Sequence, residues 1–178
     1  AVKSYQEAVK INPNFAEAFS NMGAAYTELG RLDKAESAYR NAILIDSDYA
    51  EAHCNLSVNL KDLGRFKEAE DSCRVAIKLD SGFAKAQYNL GNILMAQKRH
   101  HEAEESYRIA ISLDPDDDQS YNMLGINLKY LKRLNEAEIS FKKAIKINPD
   151  NIQPYIQLGM VFYANEKLNS SLEILNKA

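Results

Sequence analysis

The stretch that decides the fold is residues 118–151, DQSYNMLGINLKYLKRLNEAEISFKKAIKINPDN, read directly beneath residues 84–117, AKAQYNLGNILMAQKRHHEAEESYRIAISLDPDD. The two 34-residue lines match slot for slot. Gly91 stands over Gly125, Leu94 over Leu128, Ala103 over Ala137, Tyr107 over Phe141, Ala110 over Ala144 and Pro115 over Pro149. The same register continues outward without insertion or deletion. One series runs Ala1, Ala35, Ala69, Ala103, Ala137 and Ser171; another runs Ala8, Ala42, Ala76, Ala110, Ala144 and Ala178. A third runs Gly23, Ser57, Gly91, Gly125 and Gly159. A period this strict means stacked, near-identical units that each bury their apolar face against a neighbour, and it argues against an enzyme core.

Within each period the apolar spacing is that of two helices. In residues 16–49, Phe19, Met22, Tyr26 and Leu29 recur at three and four, which places them on one face of a helix. Gly30 follows where a left-handed residue ends a helix, and Asp33 is positioned to cap a second helix running to about Ile45. The scheme predicts helix pairs at about 50–63 and 67–79, 84–97 and 101–113, 118–131 and 135–147, and 152–165 and 169–178. Pro13, Pro115 and Pro149, with Ser47 and Ser81 at the same offset, stop the second helices. A glycine in mid-helix costs roughly 1 kcal/mol relative to alanine. The repeated Gly23 series therefore implies close approach of the second helix, with Ala35 and its equivalents as the expected contact.

Composition narrows the function. The net charge of -3 is small and evenly spread, without the basic stripe of a nucleic-acid binder. No apolar run approaches the ~20 residues that span a bilayer, so no membrane partner is expected. Two cysteines, Cys54 and Cys73, make no disulfide framework; Cys73 takes a slot filled elsewhere by Tyr or Phe and reads as a buried thiol. That favours a reducing, cytoplasmic location. His100 and His101 read as a surface turn, and His53 as a packed side chain in the slot of Phe19 and Tyr121. No phosphate loop, metalloprotease or hydrolase motif is present. The run Asp114 to Asp118 lacks the glycine and closing glutamate of a calcium loop and reads as a turn, with Asp118 capping the next helix. No catalytic residue, cofactor or metal is assigned.

The pattern of Tyr121, Leu124, Gly125, Leu128, Ala137, Phe141, Ala144 and Pro149 resembles the tetratricopeptide repeat family. His53 and Gln87 depart from its first aromatic, and Lys98, Lys132 and Glu166 from its turn glycine. The resemblance implies an all-α, right-handed superhelical solenoid of antiparallel helix pairs. It implies one array over 1–178: a lone second helix in 1–15, full repeats at 16–49, 50–83, 84–117 and 118–151, and a nearly complete one at 152–178. The phase of both ends reads as a fragment of a longer array, open to end-to-end self-association through its terminal helices.

In this family the first helix of each repeat lines the concave face, which is expected to bind a protein or peptide. The polar candidates are Asn21, Asn55 and Asn89, one per repeat, whose amides can grip a peptide backbone. A similar asparagine ladder lines the repeat domain of O-GlcNAc transferases, which these units resemble. The apolar and aromatic candidates come later in the chain: Tyr88, Asn92, Met95, Ile126, Tyr130, Ile156, Met160 and Tyr163. The clamp that holds chaperone C-termini finds only two of its five residue types among Ser20, Ala24, Asn55, Lys85 and Asn89. Two functions remain: a non-catalytic interaction scaffold, or the substrate-presenting arm of a larger enzyme such as a glycosyltransferase or sulfotransferase.

Overall fold

The amphipathic segments become eleven helices among the described residues of a computed structural model, which covers 2–164 and 168–177. In chain order they are α1 (Val2–Ile11), α2 (Ala16–Glu28), α3 (Leu32–Ile45), α4 (Ala50–Asp62), α5 (Phe66–Leu79) and α6 (Ala84–Ala96). They continue with α7 (His100–Leu113), α8 (Asp118–Tyr130), α9 (Leu134–Ile147), α10 (Ile152–Ala164) and α11 (Leu168–Leu175). The chain divides into two compact units, Ala1–Ile93 and Leu94–Ala178. Within each, helices pack on the next helix in sequence, with additional contacts between the first helices α2 and α4 and between α8 and α10. This neighbour-only packing is what a solenoid of helix pairs requires.

The core of unit 1 is built from the small residues of the second helices. Ala35, Ala42, Ala69 and Ala76 are buried, and so are Tyr39 and Cys73. Unit 2 repeats this with Ala103, Ala110, Ala137 and Ala144 around Tyr107 and Phe141. The mid-helix glycines seat those larger side chains. A Cβ on Gly23 would meet the Tyr39 ring at 2.6 Å, and one on Gly125 would meet Phe141 at 2.6 Å. The close partner is thus the aromatic ring and not the alanine that the sequence reading assigned, because the ring lies flat across the missing side chain. Ser57 replaces the glycine in the repeat where Cys73 replaces the ring; Ser57 Oγ donates to the Cys54 carbonyl at 2.6 Å and Cys73 Sγ to the Ala86 carbonyl at 3.1 Å. The smaller thiol leaves room for the hydroxyl.

The turns inside the pairs are left-handed. Gly30 and Gly64 have φ of 67° and 76°, and Lys98 and Lys132 hold 62° and 60° at the equivalent places. Glu166, the last of this series, lies outside the described residues. The second helices start at Leu32, two residues before the start that an Asp33 cap implies, and at Phe66, His100 and Leu134, each one residue earlier than predicted. Asp33 therefore sits inside the first turn, and the cap position belongs to Arg31, which makes no side-chain cap bond. Likewise Asp117, not Asp118, caps α8, accepting from the amides of Gln119 and Ser120. An aspartate one residue too far along cannot reach back to the free amides.

Arginines at the second-helix starts serve another purpose. In unit 1, Arg65 binds Glu68 at 2.6 Å and Glu36 of the preceding repeat at 2.7 Å, while Arg40 binds Glu36 at 2.9 Å. In unit 2, Arg133 binds Glu136 at 2.6 Å and also Glu104, and Arg108 binds Glu104 at 2.9 Å. Each network ties one repeat to the next.

Candidate binding face on the first helices

In unit 2 the face is the outer stripe of α8 and α10. Ile126 and Tyr130 are four apart on α8, and Ile156, Met160 and Tyr163 follow at four and three on α10, so each set lines one side of its helix. Tyr130 is 65% exposed, Met160 52% and Tyr163 70%. Ile126 and Ile156 are half-buried beneath them. Met95 is also half-buried, and its Sδ lies 3.9 Å from the Tyr107 hydroxyl, which ties it to the core.

The Tyr130 ring is held in place. The His100 imidazole stacks on it with centroids 5.0 Å apart and planes 13° from parallel. His100 is fixed in turn by Asn127, whose Nδ2 donates to the His100 carbonyl at 2.8 Å. That bond leaves the Asn127 Oδ1 facing His100 Nδ1 at 2.9 Å, so Nδ1 carries the proton. Local sequence places His100 on a surface turn; the structure makes it the half-buried first residue of α7 and the prop of an exposed ring. The signal was present in Asn59, which stands two repeats before Asn127 and likewise donates to a first-residue carbonyl, that of Leu32, at 3.1 Å. His101, by contrast, is exposed.

Beside Tyr130, Lys129 is half-buried, and its Nζ donates to Gln157 Oε1 at 2.6 Å. The apolar spacing along α8 does not single it out.

In unit 1 the asparagines do not form equivalent rungs. Asn21 is exposed, Asn55 half-buried and Asn89 buried, with Asn89 Nδ2 directed at Cys54 Sγ at 3.2 Å. The small Cys54 side chain leaves space for the amide to turn inward. Tyr88 and Asn92 are both half-buried on the same helix. On the other side of unit 1, between α3 and α5, a cleft of about 620 Å³ is floored by Leu56 and Leu60 and edged by His53. His53 Nε2 lies 3.0 Å from the Ser47 carbonyl, which explains its partial burial. Among the described residues no group of His, Cys, Asp and Glu is placed to hold a metal ion, and no helix is long and apolar enough to cross a membrane.

Comparison with known proteins places these repeats in company. The description "Tetratricopeptide repeat" matches residues 16–49, 50–83, 84–117 and 118–151, and "TPR repeat" matches residues 1–30. No curated protein matches the chain. Solved structures do. PilW, described as a widely conserved type IV pilus biogenesis factor, superposes with a TM-score of 0.89 at 21% identity over 97% of this chain and 80% of its own. MamA superposes at 0.78 with 23% identity, covering 88% of this chain and 91% of its own. YrrB, described as a TPR protein with an unusual peptide-binding site, superposes at 0.74 with 22% identity over 99% of this chain and 91% of its own. At these identities the likeness is one of fold.

Proposed function

From the premise that the chain belongs to the tetratricopeptide repeat family, we propose that it is a non-catalytic scaffold that holds a protein or peptide segment on its first-helix face. The observation that carries this is the exposed stripe of Tyr130, Met160 and Tyr163. Contiguous apolar surface of this kind marks interaction sites, and aromatic side chains dominate interface energetics. The stacked His100 supports the reading, because a ring already held in position loses little freedom on binding. A structural neighbour described by its peptide-binding site fits the same use of the fold. The buried thiols of Cys54 and Cys73 fit a reducing, cytoplasmic setting.

The exposed Asn21 and half-buried Asn55 favour a second reading, in which unit 1 presents substrate to a catalytic domain of a larger enzyme. Self-association is part of the scaffold reading as well, since α1 buries none of its residues and leaves Tyr5, Ala8 and Val9 half-covered.

A peptide array probed with the purified chain tests the main reading. Tyr130→Ala and Tyr163→Ala should each weaken bound segments by about tenfold or more. Melting should hardly move, because both rings are mostly in water. Binding that is indifferent to both substitutions refutes the assignment of this face.

A further inference from the structure

We infer that the first-helix face of unit 2 takes an extended protein segment carrying a carboxylate beside apolar side chains, and that Lys129 is the group that receives the carboxylate. The inference rests on the reading of this face as a protein-binding surface and adds the chemistry of the segment.

Lys129 lies on α8 between the buried Leu128 and the exposed Tyr130. Its ammonium meets Gln157 Oε1 at 2.6 Å and Met160 Sδ at 3.8 Å, two neutral groups. Among the described residues it has no carboxylate partner. Burial pulls its pKa below the ordinary lysine value, the direction taken by a cation that has lost water without gaining an anion.

Unit 1 shows what this position looks like when the charge is answered. Lys61, two repeats earlier, pairs with Asp62 at 3.0 Å. The residue in the place of Asp62 is Tyr130. Unit 2 has therefore exchanged an internal counter-ion for an exposed ring, next to an ammonium already partly dehydrated. An incoming carboxylate meets a lower desolvation cost at such a group than at a fully hydrated lysine, and its charge-assisted bond is stronger than that from an amide oxygen. The surrounding stripe of Ile126, Tyr130, Met160 and Tyr163 carries no charge, so it favours apolar neighbours on either side of a single acid. A polyanion such as nucleic acid would find one cation there.

The test is an array of decapeptides in matched pairs, differing only in a central Glu or Gln, with Leu, Phe and Tyr varied around it. The wild-type chain should bind the Glu member of responding pairs about tenfold more tightly than the Gln member. Lys129→Gln should erase that preference by weakening the Glu member, Lys129→Arg should retain it, and Lys61→Gln should leave it unchanged. If wild type binds both members alike while Tyr130→Ala and Tyr163→Ala still weaken both, the carboxylate assignment is overturned and the binding face stands. If no pair binds, or binding ignores both tyrosines, the face and the carboxylate fall together.

Discussion

Unit 1 and unit 2 are built on the same frame and finished differently. The charge networks Glu36, Arg40, Arg65, Glu68 and Glu104, Arg108, Arg133, Glu136 occupy equivalent places with nearly equal distances. So do the buried asparagines Asn59 and Asn127. Differences gather on and behind the first helices. Asn59 meets only the Leu32 carbonyl, and its Oδ1 is buried without a partner. Asn127 meets both the carbonyl and the ring of His100. Lys61 has Asp62, whereas Lys129 has Tyr130 at its side. Each second helix packs on the first helix of the following repeat, α3 on α4, α7 on α8 and α9 on α10, and the first helices are where the two units were given different surfaces.

The largest effect available for testing this comparison is in the core. Phe141→Cys removes most of a fully buried ring and should cost about 2–4 kcal/mol in urea denaturation. Gly125→Ser alone should cost about 1–3 kcal/mol by crowding that ring. Made together, they copy the Ser57 and Cys73 pairing of unit 1, and the double variant should be at least about 1 kcal/mol more stable than the sum of the two costs. Strict additivity would break the analogy between the repeats.

A smaller difference is expected at the asparagines. Asn127→Ala should cost about 2–3 kcal/mol, since it strips two groups of His100 of their partner, and Asn59→Ala only about 1 kcal/mol. Equal losses in chemical melts would mean that the His100 ring contributes nothing to holding unit 2 together.

The smallest effect is the acid dependence of the charge networks. Hydrogen bonds from Arg65 and Arg133 hold Glu68 and Glu136 below the ordinary carboxylate value of 4.5. Burial pushes Glu36 upward, but the bonds from Arg40 and Arg65 outweigh it and its pKa is also lowered. A carboxyl depressed in the folded chain stabilises it fully above the unfolded value and loses that contribution as pH falls through the folded one. Melting temperature should therefore drop on acidification below this range. Arg65→Gln and Arg133→Gln should each flatten that drop slightly, as should about 1 M salt, which screens exposed pairs. A strong flattening from one arginine and none from the other would show that the two networks are not equivalent.

The helices were legible because each face repeats at three and four residues and each boundary carries a glycine, a proline or a substitute in phase. Most ends fall within one residue of expectation. Contacts that cross from one repeat to another were less legible. Spacing along α7 says nothing about where the His100 ring will rest, since that depends on how α7 and α8 meet. The exposure of Tyr130, Met160 and Tyr163 follows from helical phase. The burial of Asn89 depends on the size of Cys54, a residue 35 positions away, and no single-helix pattern contains that information. The role of Arg65 and Arg133 was recoverable in principle, because arginine at one offset and glutamate at another recur together through the chain.

Cys54 and Cys73 are the only cysteines in the chain, and both lie within the repeat 50–83. Neither sulfur-bearing residue is exposed, and burial, with the neighbouring Cys54, pushes the Cys73 thiol up to about 12. While that repeat is closed, a thiol reagent finds neither access nor thiolate. The rate at which an alkylating dye is consumed is then a stopwatch on the opening of one defined part of unit 1, the repeat 50–83 together with Ala86 and Asn89 of α6, which cover its two thiols. In a chain whose parts are almost interchangeable, that is an address label written in sulfur.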